Sequence, residues 1–239
     1  DHVVELMLVA LGDWEEFQSQ VAKRDSQDSG AEQTLAQLRS RWPKLDGLVS
    51  LLGSSSSIGL AMERAQLAIR SEANLLIHGP QNVGKTDLCQ AIFVGRLENR
   101  GLNPVTGQYF PIDLAVLDAE LVAGMLEVFQ GRLRADQPKI AQQLVLENLH
   151  EASAPSIDLL SKFLDSHQNL ITVAAISGIG ASDLVARNPN WQELLNRVTV
   201  HELELPGLSQ RREDIAVLAQ QFLATACRKA DRAMLSISS

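Results

Sequence analysis

The spacing of hydrophobic positions changes character near residue 46. Before it, residues 3–21 carry Val3, Val4, Leu6, Met7, Leu8, Val9, Leu11, Trp14, Phe17 and Val21. The dense first part suits a buried strand and the spaced second part an amphipathic helix, and periodicity alone leaves both open. Residues 24–30, Arg-Asp-Ser-Gln-Asp-Ser-Gly, are polar and read as a linker. Residues 32–42 suit a short helix that Pro43 ends. Residues 1–45 are thus expected to be a helical segment and linker, either a solvated tail or a junction to an upstream domain.

From residue 46 to about residue 230, strand and helix patterns alternate. A helix over 57–71 puts Ile58, Ala61, Met62, Ala65, Leu67 and Ala68 on its buried side. Residues 73–78 read as a short buried strand, and residues 87–94 as a helix through Leu88, Ala91 and Ile92. A second strand over 108–114 contains Pro111, which lacks a ladder donor and directs that strand to a sheet edge. Residues 119–130 are helical and 143–149 form a third strand. The helix over 155–165 has Pro155 in its first turn and Ser153 as candidate cap. Strands over 170–176 and 198–205 follow. A long helix over 211–229 starts with Glu213 and Asp214, which suit the helix dipole. This alternation predicts an α/β fold of three layers, α/β/α, around a mostly parallel five-stranded sheet.

Composition narrows the function classes. The chain has 239 residues, 45% of them hydrophobic, enough for a sizeable core. No apolar run approaches the roughly 20 residues of a membrane span, and no signal segment opens the chain. Cys89 and Cys227 are the only cysteines, which fits a reducing cytoplasm rather than a disulfide framework. The formal charge of −8 argues against these residues gripping a nucleic acid backbone by themselves. His78, His150, His167 and His201 are scattered without metal-ligand spacing. The serines at 54–57 stand at a helix start, where capping explains them.

One segment carries chemistry. Gly79-Pro80-Gln81-Asn82-Val83-Gly84-Lys85-Thr86 fills every fixed position of the phosphate-binding pattern G-x-x-x-x-G-K-[ST]. A strand precedes it and a helix opening at Asp87 follows, the context the pattern requires. The loop's backbone N–H groups would cradle a polyphosphate, helped by the helix N-terminus. Lys85 would reach the β- and γ-phosphates, and Thr86 would bind Mg²⁺. ATP or ADP with Mg²⁺ are the expected ligands; the plain alternative is a chance glycine turn before a helix.

Leu51-Leu52-Gly53-Ser54-Ser55, the loop at 79–86, and Leu205-Pro-Gly-Leu-Ser-Gln-Arg-Arg-Glu-Asp-Ile215 occur in that order. Together they resemble the central AAA+ ATPase domain of bacterial enhancer-binding transcription regulators, the nitrogen-regulator (NtrC) type that remodels the sigma-54 polymerase. The likeness covers residues 50–230 and implies a P-loop NTPase fold of AAA+ type, with Leu52 and Gly53 also bordering the nucleotide. It implies a homo-oligomer, and DNA contact through a domain outside this chain.

Several positions depart from the family pattern. The third strand should end Asp-Glu, one holding the metal shell and one polarising water. Here Glu147 falls on the metal position and Asn148 on the water-activating one, where an amide is no base. Asp113 stands where the family has an Asn that couples the catalytic Glu to partner contacts. Ser177 replaces an Asn that senses the γ-phosphate. Of two arginines offered to a neighbouring subunit, Arg197 matches the second and Trp191 replaces the first. The sigma-gripping G-A-F-T-G-A loop has no counterpart between Gly131 and Gln143, so contact with the sigma factor is not expected. Residues 231–239 would only begin the C-terminal lid, and the chain is expected to be a piece of a larger regulator. Three readings follow: a degenerate nucleotide-binding module with weak or no hydrolysis, a working ATPase, or a scaffold.

Overall fold

A computed structural model describes residues 55–104, 107–134 and 136–229. The expected helical segment at 1–45, Leu52, Gly53 and the lid start at 231–239 lie outside the described residues. In chain order the elements are α1 (Ser56–Arg70), β1 (Leu75–His78), α2 (Lys85–Asn99), β2 (Gln108–Asp113), α3 (Ala119–Arg132), β3 (Gln142–Glu147), α4 (Ala154–His167), β4 (Thr172–Ser177), α5 (Ala181–Arg187), α6 (Trp191–Val198), β5 (His201–Glu204) and α7 (Ile215–Lys229). Five strands form one sheet in the order β2-β3-β4-β1-β5. Every neighbouring pair is parallel. Pro111 lies on β2, an edge strand as its missing donor requires.

Successive strand residues face opposite sides of a sheet, and here each side is dry. Leu75 and Ile77 of β1 join Val145, Ala174 and Ile176 against α1 and α2. Leu76, Leu144 and Leu146 face the other way, against α3, α4 and α6. Near-continuous apolar strands are the mark of a parallel sheet covered on both faces. The side chains of Ser55, Asp118 and Ser153 cap α1, α3 and α4, accepting N–H bonds from Ile58, Leu121 and Ser156.

Some boundaries differ from the sequence reading. Leu67 is 57% exposed, and Ile69 is buried in its stead. Leu67 sits about 200° round the helix from Ala65, outside the stripe through Ala61, Ala65 and Ala68. β3 stops at Glu147, because Asn148 turns left-handed with φ 51°. Val198 closes α6 instead of opening β5. Glu213 and Asp214 precede α7 in a single tight turn, and Asp214 is buried. It accepts hydrogen bonds from Ser55 N at 3.1 Å and Ser55 Oγ at 2.6 Å. Asp214 therefore ties the end of the chain's Leu-Leu-Gly-Ser-Ser segment to its Arg-Arg-Glu-Asp-Ile segment.

A fully buried arginine closes the opposite end of the sheet. Arg96 Nε donates to Ala68 O at 3.0 Å, Nη2 to Ala73 O at 2.7 Å and Nη1 to Gln143 Oε1 at 3.4 Å. Burial pushes its pKa down to about 10. One guanidinium thus satisfies carbonyls at the end of α1 and ahead of β1, together with a side chain on β3. Arg96→Ala would leave these acceptors and a void behind. It is expected to destabilise the fold by on the order of 3 kcal/mol, read as a lower urea midpoint with unchanged slope.

The phosphate-loop end is set by a close backbone approach. Leu205 N donates to His78 O at 2.8 Å, which carries the exit of β5 across the first loop residue. Gly79 has φ 146°, and a Cβ there would lie 2.3 Å from Leu205 O. Gly79→Ala is expected to cost roughly 1–3 kcal/mol and to shift the amide resonances of residues 79–86, measured by thermal unfolding and NMR.

Candidate functional site

The loop runs from β1, an inner strand between β4 and β5, to the first residue of α2. Gly79, Asn82 and Gly84 take positive φ values of 146°, 58° and 95°. Asn is among the few side chains that tolerate the left-handed region. These turns coil the backbone into a concavity in front of α2. Gly84 caps that helix without a side-chain bond, so the first N–H groups of α2 are left for a ligand. Val83 is buried and anchors the loop, while Pro80, Gln81 and Asn82 are exposed. Arg211 Nη2 donates to Val83 O at 3.5 Å.

Lys85 Nζ donates to Gly79 O at 2.9 Å and Pro80 O at 2.5 Å. Partial burial lowers its pKa. The ammonium is thus held over the loop by carbonyl oxygens, which an anionic phosphate can replace with a stronger, charge-assisted bond. Thr86 Oγ1 donates to Glu147 Oε1 at 3.4 Å. The structure therefore brings together the two groups expected at a metal. A hydroxyl and a carboxylate are hard oxygen donors of the kind Mg²⁺ takes when phosphate and water complete its shell. Among the described residues no group of three His, Cys, Asp or Glu could hold a metal alone. Asp87 lies exposed in the first turn of α2.

The neighbouring strand exits carry the altered positions. Asn148 Nδ2 donates to Asp113 Oδ1 at 2.8 Å, and Ala115 N donates to the same oxygen at 3.0 Å. Ser177 is buried at the end of β4, its Oγ accepting from Ile179 N at 3.2 Å. Its hydroxyl closes the local turn. His150 Nδ1 accepts from Gly178 N at 3.1 Å, which links the exits of β3 and β4. Burial lowers the His150 pKa, with Lys85 and Arg187 acting in the same direction and Glu151 opposing. Glu151 faces His150 Nε2 at 3.5 Å.

Arg197 is not part of this cluster. Its Nε and Nη2 donate to both oxygens of Asp165 at 2.6 and 2.9 Å, and Nη2 also reaches Glu193. Its carbonyl accepts from Asn74, just ahead of β1, so Arg197 lies at the edge of the sheet away from the loop. Trp191 is buried in the core. The pattern reading missed Arg211 on the loop, the Asp214–Ser55 clasp and the Asn148–Asp113 bond. In that reading the two outer motifs carry only the resemblance, and their co-occurrence is the one signal in the sequence for the clasp.

No family model matches the chain. Its curated relatives are regulators of transcription. The chain is 27% identical over 199 residues to the alginate biosynthesis transcriptional regulatory protein AlgB of Pseudomonas syringae, covering 77% of this chain and 43% of that protein. It is 26% identical over 189 residues to the Nif-specific regulatory protein of Bradyrhizobium diazoefficiens, covering 72% and 32%. It is 26% identical over 198 residues to the transcriptional activator RocR of Bacillus subtilis, covering 73% and 41%. The chain thus spans less than half the length of these relatives. In fold it is similar to NtrX from Brucella abortus in complex with ADP, with a TM-score of 0.64 at 15% identity over 87% of this chain and 48% of that one. The ATP complex of NtrX gives 0.62 at 16% identity over 83% and 47%. The chain is similar in sequence to these bacterial transcription regulators, the class that its motifs resemble, and its described residues have a P-loop NTPase fold of the AAA+ type.

Proposed function

We propose that the chain is the nucleotide-binding module of a bacterial transcription regulator, and that it binds ATP or ADP while hydrolysing ATP weakly or not at all. The observation that carries this reading is the pre-coiled loop with Lys85 poised over it on replaceable carbonyl bonds. The NtrX structures with ADP and ATP support the same ligand class. Residues 79–87 would hold the phosphates, with Leu52 and Gly53 bordering the nucleotide. Thr86 and Glu147 would hold Mg²⁺, whose charge would offset that of the phosphates. Asn148 offers an amide where a base is needed, and Ser177 offers a short hydroxyl whose oxygen accepts from Ile179 N. Nucleotide would therefore act chiefly on conformation and assembly.

The setting proposed is a cytoplasmic homo-oligomer that reaches DNA through another domain of the whole protein. Among the described residues no helix is long and apolar enough to cross a membrane. Arg197, bound to Asp165 in one chain, would have to leave that pair to serve a neighbour's nucleotide. Engagement of the sigma factor is not proposed. Residues 133–141 alone join α3 to β3, and Gln142 bonds both the N–H and the carbonyl of Arg134, which holds that connection down. A ring without a projecting loop has no surface through which nucleotide state could act differentially on that partner.

Two outcomes test this. Calorimetry should show ATP or ADP binding to the wild-type protein, with Lys85→Ala weakening it by about 2–4 kcal/mol. A wild-type protein that ignores both nucleotides would make the domain a scaffold. Full-length protein with sigma-54 holoenzyme and ADP–aluminium fluoride should give no nucleotide-dependent capture in a pull-down, and a captured factor would require a substitute loop.

A further inference from the structure

A carboxylate outside the altered pair lies on the right face of the sheet. Asp113 ends β2 as the register partner of Glu147 on β3. Val145 packs with the α1 and α2 side, so Glu147, two residues on, faces that side and meets Thr86. Tyr109 of β2 packs on the same side, so Asp113, four residues on, faces it too. Asp113 thus stands on the phosphate-loop face, one strand (about 4.8 Å) outward from Glu147. Both of its hydrogen bonds fall on Oδ1, from Asn148 Nδ2 and from Ala115 N. Among the described residues its Oδ2 accepts none.

The two side chains divide one task. An amide cannot take a proton, but it can fix a carboxylate through a single oxygen and leave the other open. We infer that Asp113 is the water-orienting residue for ATP hydrolysis in this chain, and that Asn148 is the positioning residue that holds it. The inference rests on the nucleotide reading above and deepens it: such hydrolysis as the protein performs runs through β2 instead of through position 148. The water oxygen bonds to the γ-phosphorus as the bond from that phosphorus to the β,γ-bridging oxygen breaks. ADP leaves, and one water proton passes to Asp113 Oδ2 and then to solvent. Approach from the outer strand keeps the turnover slow.

The test uses full-length protein, with Lys85→Ala as the background. Wild type should turn over ATP above that background. Asp113→Asn should lower kcat roughly tenfold or more while KM stays within about twofold, since positioned bases contribute typically about 10²–10⁴-fold. It should weaken ADP–aluminium fluoride binding about tenfold or more and leave ADP binding nearly unchanged, because only the transition-state mimic needs the oriented acceptor. Asn148→Ala should lower kcat with little change in KM. The exchanged pair, Asp113→Asn with Asn148→Glu, should recover activity lost in Asp113→Asn. Wild-type protein that binds ATP without turnover above background overturns the inference and leaves the nucleotide reading standing. So does an Asp113→Asn variant that keeps kcat and analogue affinity, or one that loses ADP affinity to the same degree. Absence of nucleotide binding in the wild type would remove both readings together.

Discussion

The site depends on one close contact, the carbonyl of Leu205 lying where a side chain at Gly79 would have to be. β1 sits between β4 and β5, so its exit is enclosed on both sides, and the Leu205 N–H bond to His78 O holds the β5 exit across it. Only a residue without Cβ can turn there, at φ 146°. The same contact carries residues 206–214 back over the loop. Arg211 then reaches Val83 O and Asp214 reaches Ser55. Loop, strand exit and the entry to α1 are thereby held as one unit ahead of the first turn of α2.

Two cations removed from water show how the fold separates stability from binding. Arg96 is fully buried and its guanidinium is committed to two main-chain carbonyls and Gln143, at the edge of the sheet where strands begin. Its three acceptors are neutral oxygens of the fold itself. Lys85 is only partly shielded, and its partners are two carbonyls of the loop it guards. Desolvation acts on both charges, but only the second stands at the open N-terminus of a helix.

At the exits of β2 and β3 the chemistry is spread over three side chains. Glu147 stays beside the Thr86 hydroxyl, while Asn148 turns left-handed and hands its amide to Asp113. A carboxylate, Asp113, lies on this face one strand further out than Glu147. The proposed slow chemistry would follow from that displacement and from Ser177, whose Oγ accepts from Ile179 N.

Local order was legible in the sequence. The alternation of apolar strands and amphipathic helices, the phosphate loop in its strand-to-helix context, and the edge role of β2 signalled by Pro111 all depend on residues a few positions apart, whose period and backbone limits act locally. Thr86 and Glu147 were anticipated as partners only through the resemblance, and the structure brings them to 3.4 Å. The strand order, the exposure of Leu67, the diversion of Asp214 from the α7 dipole to Ser55, and the commitment of Arg197 to Asp165 were not legible. Nor was the bond from Asn148 to Asp113, on which the proposed division of labour turns. Each of these is a choice between partners far apart in the chain. The sequence determined which groups were available; which of them met was decided by the closing of the sheet, because only then does one buried polar group find a single neighbour able to satisfy it.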